Sequence, residues 1–269
     1  PTDFSKASRN AINYAAEIAK RAKAKLVLLH AYHPVVIPSE TPVVLPMSEE
    51  VEKDCMRRLR RIRYQLLTKH GRRFNVELSC SEGLAADVID KYALEQKADL
   101  VVMGTHGVGY LEEKLIGSIT SEMIARSKYP VLSVSSTAKF KSIKKVLLAT
   151  DYQSLSNPTL LDPIKEISDM FNSHIYVLNV VGKENELPTV AQAVEGIKLE
   201  QLLQSQNHSF HSAVNTDVVS GINEFIEEKH MDMVVMVPRY HNFFATLFKK
   251  RNTKNMAFHA KAPLLTIHN

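Results

Sequence analysis

The sequence predicts an α/β protein built as two tandem copies of a doubly wound parallel sheet. Three observations carry that expectation: an internal repeat, an alternation of short apolar runs with helical-period segments, and a glycine cluster in a glycine-poor chain. The repeat is the plainest of the three. Ala98-Asp99-Leu100-Val101-Val102-Met103 returns as Met231-Asp232-Met233-Val234-Val235-Met236, and Lys128-Tyr129-Pro130-Val131-Leu132 is answered by Lys261-Ala262-Pro263-Leu264-Leu265 at the same spacing. Thr2-Asp3 pairs with Thr150-Asp151, and Leu26-Val27-Leu28-Leu29-His30 with Ile175-Tyr176-Val177-Leu178-Asn179. Two copies of about 135–150 residues each have the size of one α/β domain. The short polar stretch Ser135 to Ser142 is the natural joint, so the expected domains are residues 1–138 and 139–269.

Within each copy, strand-like runs alternate with segments of 3.6-residue period, the signature of βαβ units. In the first copy the runs Leu26–His30, Val76–Cys80, Leu100–Met103 and Val131–Val134 read as strands. Between them, Ala11, Ala15, Ile18 and Ala22 line one helical face, and Val51, Cys55, Leu59, Ile62 and Leu66 a second. Leu84, Val88 and Tyr92 line a third, and Ile116, Ile119 and Met123 a fourth. The second copy opens with an additional strand, Lys145-Val146-Leu147-Leu148-Ala149-Thr150. Its counterpart in the first copy ends at Pro1-Thr2-Asp3, which implies five strands per domain with the first truncated at the N-terminus.

Composition excludes several classes. No apolar run approaches the roughly 18 residues of a membrane helix, and the N-terminus has no signal-peptide pattern. Membrane and nucleic acid are therefore not expected partners. Cys55 and Cys80 are too few for a disulfide framework, and both are expected as buried, reduced thiols in a cytoplasmic protein. Much of the net charge of +5 comes from Arg57-Arg58-Leu59-Arg60-Arg61-Ile62-Arg63. Its apolar positions keep helical period, so it reads as a solvated basic helix. His30 and His33, with His106 as a third candidate, lack diagnostic metal-ligand spacing and read as structural or pocket-lining.

Four of the nine glycines fall between Gly104 and Gly117, in Gly104-Thr105-His106-Gly107-Val108-Gly109 and then Gly117-Ser118. Glycine serves where backbone approaches a ligand closely, and a Gly-Ser opening a helix presents N–H groups and a hydroxyl to an anion. The spacing Gly104, two residues, Gly107, nine residues, Gly117-Ser118 resembles the nucleotide motif of ATP-binding universal stress proteins. The Thr-Asp after strand one, the Val-Val-Met of strand four and the closing Pro-Val-Leu are in register with that family over both copies.

The resemblance implies the adenine-nucleotide α-hydrolase-like fold with strand order 3-2-1-4-5. It also implies ATP or another adenine nucleotide as ligand, with Mg2+ as a candidate companion. Asp3, flanked by Pro1 and Thr2, is implied at the adenine edge, and Ala31 at the adenine through its backbone. Met103 and Gly104 are implied beside the ribose, Gly107 and Gly117 at the phosphates, and Ser118 with Thr120 as hydroxyl donors. The ends of adjacent strands one and four are where an open parallel sheet binds ligands.

The second copy keeps Asp151 but replaces Gly104 by Val237, Gly107 by Tyr240, and Gly117-Ser118 by Lys250-Arg251. The aromatic and basic stretch Tyr240 to Arg251 reads as rings filling a vestigial pocket, or as a docking surface or a site for another anion. The resemblance also implies an intramolecular pseudo-dimer through the last strands, Val131–Val134 and Leu264–Ile267, with a homodimer and unknown regulatory proteins as further partners. The proline-rich segment Pro34 to Pro46 is expected as an extended lid over the nucleotide or as a partner contact. No catalytic residues are assigned, because no general base aimed at a γ-phosphate is evident. The expected function is a nucleotide-binding regulator of the stress response. The alternatives are a slow ATPase and an interaction scaffold.

Overall fold

The computed structural model describes residues 1–33, 47–105, 116–152, 157–183, 188–237 and 262–267. The expected segments Pro34–Pro46 and Tyr240–Arg251, with His106 and Gly107, lie outside them.

The first half runs α1 (Lys6–Ala22), β1 (Leu26–Tyr32), α2 (Met47–His70), β2 (Val76–Glu82), α3 (Ala85–Gln96), β3 (Val101–Gly104), α4 (Ser118–Arg126) and β4 (Val131–Val134). The second half runs β5 (Lys145–Ala149), α5 (Asp162–Phe171) after a short 3-10 turn, β6 (His174–Val181), α6 (Val190–Leu203), β7 (His208–Val214), α7 (Val218–Lys229), β8 (Met233–Met236) and β9 (Leu264–Thr266).

The second half has the expected topology. Its strands lie in the order β9-β8-β5-β6-β7, all parallel, which is 3-2-1-4-5 read from the other edge. β5 is central and buried on both faces, with Val146, Leu147 and Leu148 at most 2% exposed, which is why its run is continuously apolar. In the first half the same sheet is split. β1 pairs with β2 and β3 with β4, both parallel, and among the described residues no strand lies between β1 and β3.

The halves join through their last strands, as expected. β4 and β9 pair antiparallel, Val131 opposite Thr266, Leu132 opposite Leu265 and Ser133 opposite Leu264. The Ser133 and Thr266 hydroxyls donate across the joint to the carbonyls of Leu264 and Val131, each at 3.2 Å. One hydrophobic cluster crosses the joint, with Tyr14, Ile18, Leu132 and Val134 packed among Leu148, Ile164, Val177, Val235 and Leu265. Arg21 of α1 donates to the Met170 carbonyl at 2.9 Å and lies 5.4 Å from the centre of the Phe171 ring.

The joint between the halves is polar in sequence but strapped down in space. Asn10 donates to the carbonyls of Ser135 and Ala138 at 2.7 and 2.6 Å, and the Tyr14 hydroxyl donates to Lys139 at 3.0 Å. Burial, with the Asp232 carboxylate nearby, pushes the Tyr14 phenol from 10.0 up to about 12, so it stays a donor. Ala138 and Ile143 are themselves buried.

Helix faces follow the sequence with shifts at the ends. α1 buries a run of small residues, Ala7, Ala11, Ala15, Ala16 and Ala19, which lets it lie close against the sheet. It is capped by Ser5, whose side chain accepts from the Ser8 amide, and closes on Lys23 in the left-handed region. α2 buries Cys55, Leu59 and Leu66 while Arg57, Arg58, Arg60, Arg61 and Arg63 stay exposed, so the basic run is a solvated face. Leu84 precedes α3 and is 63% exposed, and Ile119 of α4 is 37% exposed, so neither belongs to its helix's buried face. Ala86, Ile89 and Ala93 of α3, and Thr120 and Ile124 of α4, are buried instead.

One expectation is corrected. Cys55 and Cys80 are not separate reduced thiols: they are joined as a disulfide between α2 and β2. The helical period puts Cys55 on the buried face of α2, and β2 lies against that face, which brings Cys80 within reach. The bridge spans 25 residues, a loop worth about 3.5 kcal/mol in the chain-entropy account. Replacing both cysteines by serine is expected to lower the urea midpoint of the first half. Dithiothreitol is expected to do the same to the native chain and to leave the double variant unmoved.

Candidate functional site

The turn from Thr2 to Ser5, ahead of α1, is built by hydrogen bonds that recur in the second half. Thr2 donates its amide to the Leu29 carbonyl at 2.8 Å, and Thr150 does so to Leu178 at 2.9 Å. The Phe4 amide donates to Thr2 Oγ1 at 3.0 Å, and Tyr152 to Thr150 Oγ1 at 3.1 Å. Both aromatic residues take the left-handed region, at φ 65° and 51°. A non-glycine residue held there needs its surroundings to fix it. Here the threonine hydroxyl and ring packing do so. Phe4 lies 4.6 Å from the His30 ring, with the Arg58 guanidinium 3.8 Å from the phenyl centre.

His30 reads as structural, in keeping with its sequence context. Its Nδ1 is 2.7 Å from the Thr2 carbonyl, and Asn179 donates to the Thr150 carbonyl at 2.9 Å in the other half. Thr2 is buried, and its hydroxyl is 3.0 Å from that of Ser8. Asp3 is partly exposed, and its Oδ1 accepts from the Ser5 amide at 3.0 Å. That turn fixes the carboxylate at the head of α1.

β3 and α4 bring the glycines to the same edge. The Thr120 hydroxyl donates to the Gly104 carbonyl at 2.8 Å, and the Gly117 amide donates to the Thr105 carbonyl at 2.6 Å. These two bonds pin the first turn of α4 to the end of β3. Gly117 caps α4 with no side-chain hydrogen bond, which leaves that turn's amides to other acceptors. Ser118 is exposed at the same end, while Met103 is 5% exposed and belongs to the core beneath. Ala31 lies near the carboxyl end of β1, opposite Ser81. Ala31, Met103 and Gly104 thus lie toward the carboxyl ends of β1 and β3, with Gly117, Ser118 and Thr120 at the head of α4 and Pro1, Thr2 and Asp3 just ahead of α1.

Gly104 has a reason to be glycine that sequence reading misses. A Cβ there would stand 2.7 Å from the Ala7 carbonyl carbon and the Ser8 amide nitrogen, closer than any real Cβ comes. The backbone of α1, not a ligand, is what demands glycine at this position. The signal was present in the small residues Ala7 and Ser8 of the first turn of α1, which permit close helix–sheet approach. In the second half Val237 stands at the corresponding place and packs against the core. Among the described residues, no group of three or more His, Cys, Asp or Glu side chains is gathered for a metal ion. Among them also, no helix is long and apolar enough to cross a membrane.

Residues 1–135 and 142–268 each match the Universal stress protein family, and the chain belongs to that family. A universal stress protein of Methanocaldococcus jannaschii is 32% identical over 142 residues, covering 52% of this chain and 81% of its own. Among solved structures, a universal stress protein from Archaeoglobus fulgidus aligns over 100% of this chain and 96% of its own with a TM-score of 0.73 at 15% identity. Another, a universal stress protein in complex with cAMP, is 30% identical over 49% of this chain and 92% of its own, with a TM-score of 0.39.

Two glycine-to-alanine substitutions separate packing from propensity. Gly104→Ala is expected to destabilise the first half by about 1–3 kcal/mol, because α1 must shift to admit a methyl group. Gly196→Ala in α6, where the nearest atom is 3.8 Å away on Tyr152, is expected to gain about 0.5–1 kcal/mol from helix propensity. Thermal unfolding of the two variants checks the sign of each effect.

Proposed function

We propose that this universal stress protein binds one ATP or related adenine nucleotide per chain, in its first domain (residues 1–138), and acts as a regulatory protein of the stress response. The observation that carries the reading is the convergence of three backbone features at one sheet end. They are the Thr2–Ser5 turn, the end of β3 at Gly104, and the α4 N-terminus at Gly117, the last two tied through the Thr120 and Gly117 hydrogen bonds and the start of α1 packed on Gly104. Such an edge offers a carboxylate for an exocyclic amine and helix-terminal amides for phosphate.

On this reading Asp3 meets the adenine edge, with Pro1 and Thr2 setting its position and Ala31 contributing backbone. Met103 and Gly104 stand beside the ribose, and Gly107, Gly117 and Ser118 meet the phosphates. Thr120 keeps its bond to the Gly104 carbonyl and positions α4. Any Mg2+ arrives with the phosphates, since magnesium is commonly held through substrate oxygens and water. The second domain (residues 139–269) keeps Asp151 but carries Val237 in place of Gly104, and it serves as the fixed partner of the pseudo-dimer.

Isothermal calorimetry with ATP is expected to give one site per chain. Gly117→Val is expected to weaken binding by roughly 100-fold or more, about 2.7 kcal/mol, with the circular dichroism spectrum unchanged. Asp151→Ala is expected to leave both stoichiometry and affinity as they were. Two sites per chain, or a Gly117→Val chain that titrates normally, would refute the assignment.

A further inference from the structure

Both cysteines lie in the first half, and the bridge they form stands beside the turn that carries Asp3. Cys80 sits opposite His30 in the β1–β2 register, and His30 Nδ1 is 2.7 Å from the Thr2 carbonyl. Phe4 and both cysteines belong to one hydrophobic cluster with Ile12, Leu28 and Leu59. Arg58 is three residues beyond Cys55 and so a neighbour on the same side of α2. Its guanidinium stands 3.8 Å from the centre of the Phe4 ring, and that ring lies against His30. Bridge, Arg58, Phe4 and His30 thus form a connected path to the turn.

Cys55 is also where α2 first grips the sheet. Residues 49–54 are exposed or half-buried, and Cys55, at 3% exposure, is the first buried residue of the helix among those described. Leu59 and Leu66 are buried further along and hold the rest of α2 without the bridge. Opening the disulfide therefore frees the end of α2 that serves the turn, while the main packing of the helix stays. The second half makes the same turn with no sulfur. It contains no cysteine, and Tyr152, in the place of Phe4, stacks on Phe210 with ring centres 6.4 Å apart. The turn itself does not require a disulfide, which leaves the bridge free to act on it.

We infer that Cys55–Cys80 is a thiol–disulfide switch on the Thr2–Ser5 turn, with Arg58 and Phe4 carrying its state to Asp3. Oxidation holds the turn and a dithiol reductant loosens it. Cys80 is half-buried where Cys55 is closed off, so the reductant's thiolate attacks the Cys80 sulfur and Cys55 leaves as a thiolate. The reductant's second thiolate then attacks the mixed disulfide, closing the reductant into a cyclic disulfide and releasing Cys80. Two electrons and two protons pass from the dithiol to the chain, which ends with two free thiols. An Asp3 no longer held at the head of α1 weakens that end for an adenine nucleotide. This last step rests on the proposed nucleotide site, whereas the coupling of bridge to turn does not.

The test uses the full chain, oxidised or reduced with dithiothreitol, and follows its backbone amides by nitrogen-15 NMR. On reduction the Phe4 and Ser5 amides, which donate to Thr2 Oγ1 and Asp3 Oδ1, are expected to lose their hydrogen-bonded shifts. Arg58→Gln is expected to cause the same loss in the oxidised chain and to leave dithiothreitol little more to do at the turn. The double variant Cys55→Ser, Cys80→Ser is expected to match the reduced chain and to ignore dithiothreitol. Shift changes confined to α2 and β2 would overturn the inference. So would a reduced chain that unfolds by circular dichroism, which would make the bridge a brace of the fold alone. An unaltered response to dithiothreitol in Arg58→Gln would remove Arg58 from the path. Calorimetry with ATP is expected to show roughly threefold weaker binding on reduction, the scale of one exposed cation–π contact. Equal affinity in the two forms would overturn control of the site. No binding in either form would instead refute the nucleotide reading, and the amide shifts alone would then decide the switch.

Discussion

The antiparallel pairing of β4 with β9 is the contact on which the rest of the molecule depends. Each half ends on an apolar strand whose outer edge would otherwise stand open, and open edges invite uncontrolled association. Setting the two edges together closes both and aligns the halves about a local two-fold axis. The backbone ladder alone is short. What makes it a fixed joint is the cluster that crosses it, in which side chains of α1 and β4 share one core with side chains of β5, β6 and β8. A joint of that kind is part of the folded interior, unlike the wetter and more polar surfaces of domains that move on one another.

The repeat and the strands were legible because each rests on local patterning, whereas the order of the second sheet came from the resemblance to the family. A buried parallel strand must be apolar throughout, and a helix on a sheet must repeat its apolar positions, so both leave marks in the chain. The extra strand β5 was legible by setting one copy against the other, and its central position only through the family's strand order. The Cys55–Cys80 bridge was not, because it depends on how α2 lies over β2. Nor was the strapped joint, since Asn10 and Tyr14 reach it from a helix more than a hundred residues away in sequence. Leu84 and Ile119 were misread for a simpler reason: both sit at helix ends, where periodicity says least.

The site divides the same way. Its residue types were legible as a glycine motif, but the motif conceals two separate demands. Gly104 answers to the backbone of α1, and Thr120 to the carbonyl of Gly104, so part of what reads as a ligand signature is the packing that holds the edge in shape. The Thr2–Ser5 turn shows the converse. Its hydrogen bonds recur in the second half around Thr150 and Tyr152, where the rest of the motif has changed. The turn therefore belongs to the fold first, and any ligand makes use of it.

Covalent continuity through the joint at Ser135–Ser142 alters how the molecule answers its surroundings. Two separate subunits meeting through the same strands would dissociate on dilution, and their response to a ligand would follow protein concentration by mass action. Here each half faces its partner at the effective concentration of a short tether, which stays the same at every dilution. Pairing of the halves therefore adds no protein-concentration dependence to whatever the first half does. Because its pairing face is always filled, the second half is free to diverge at its own sheet end without dissolving the pair.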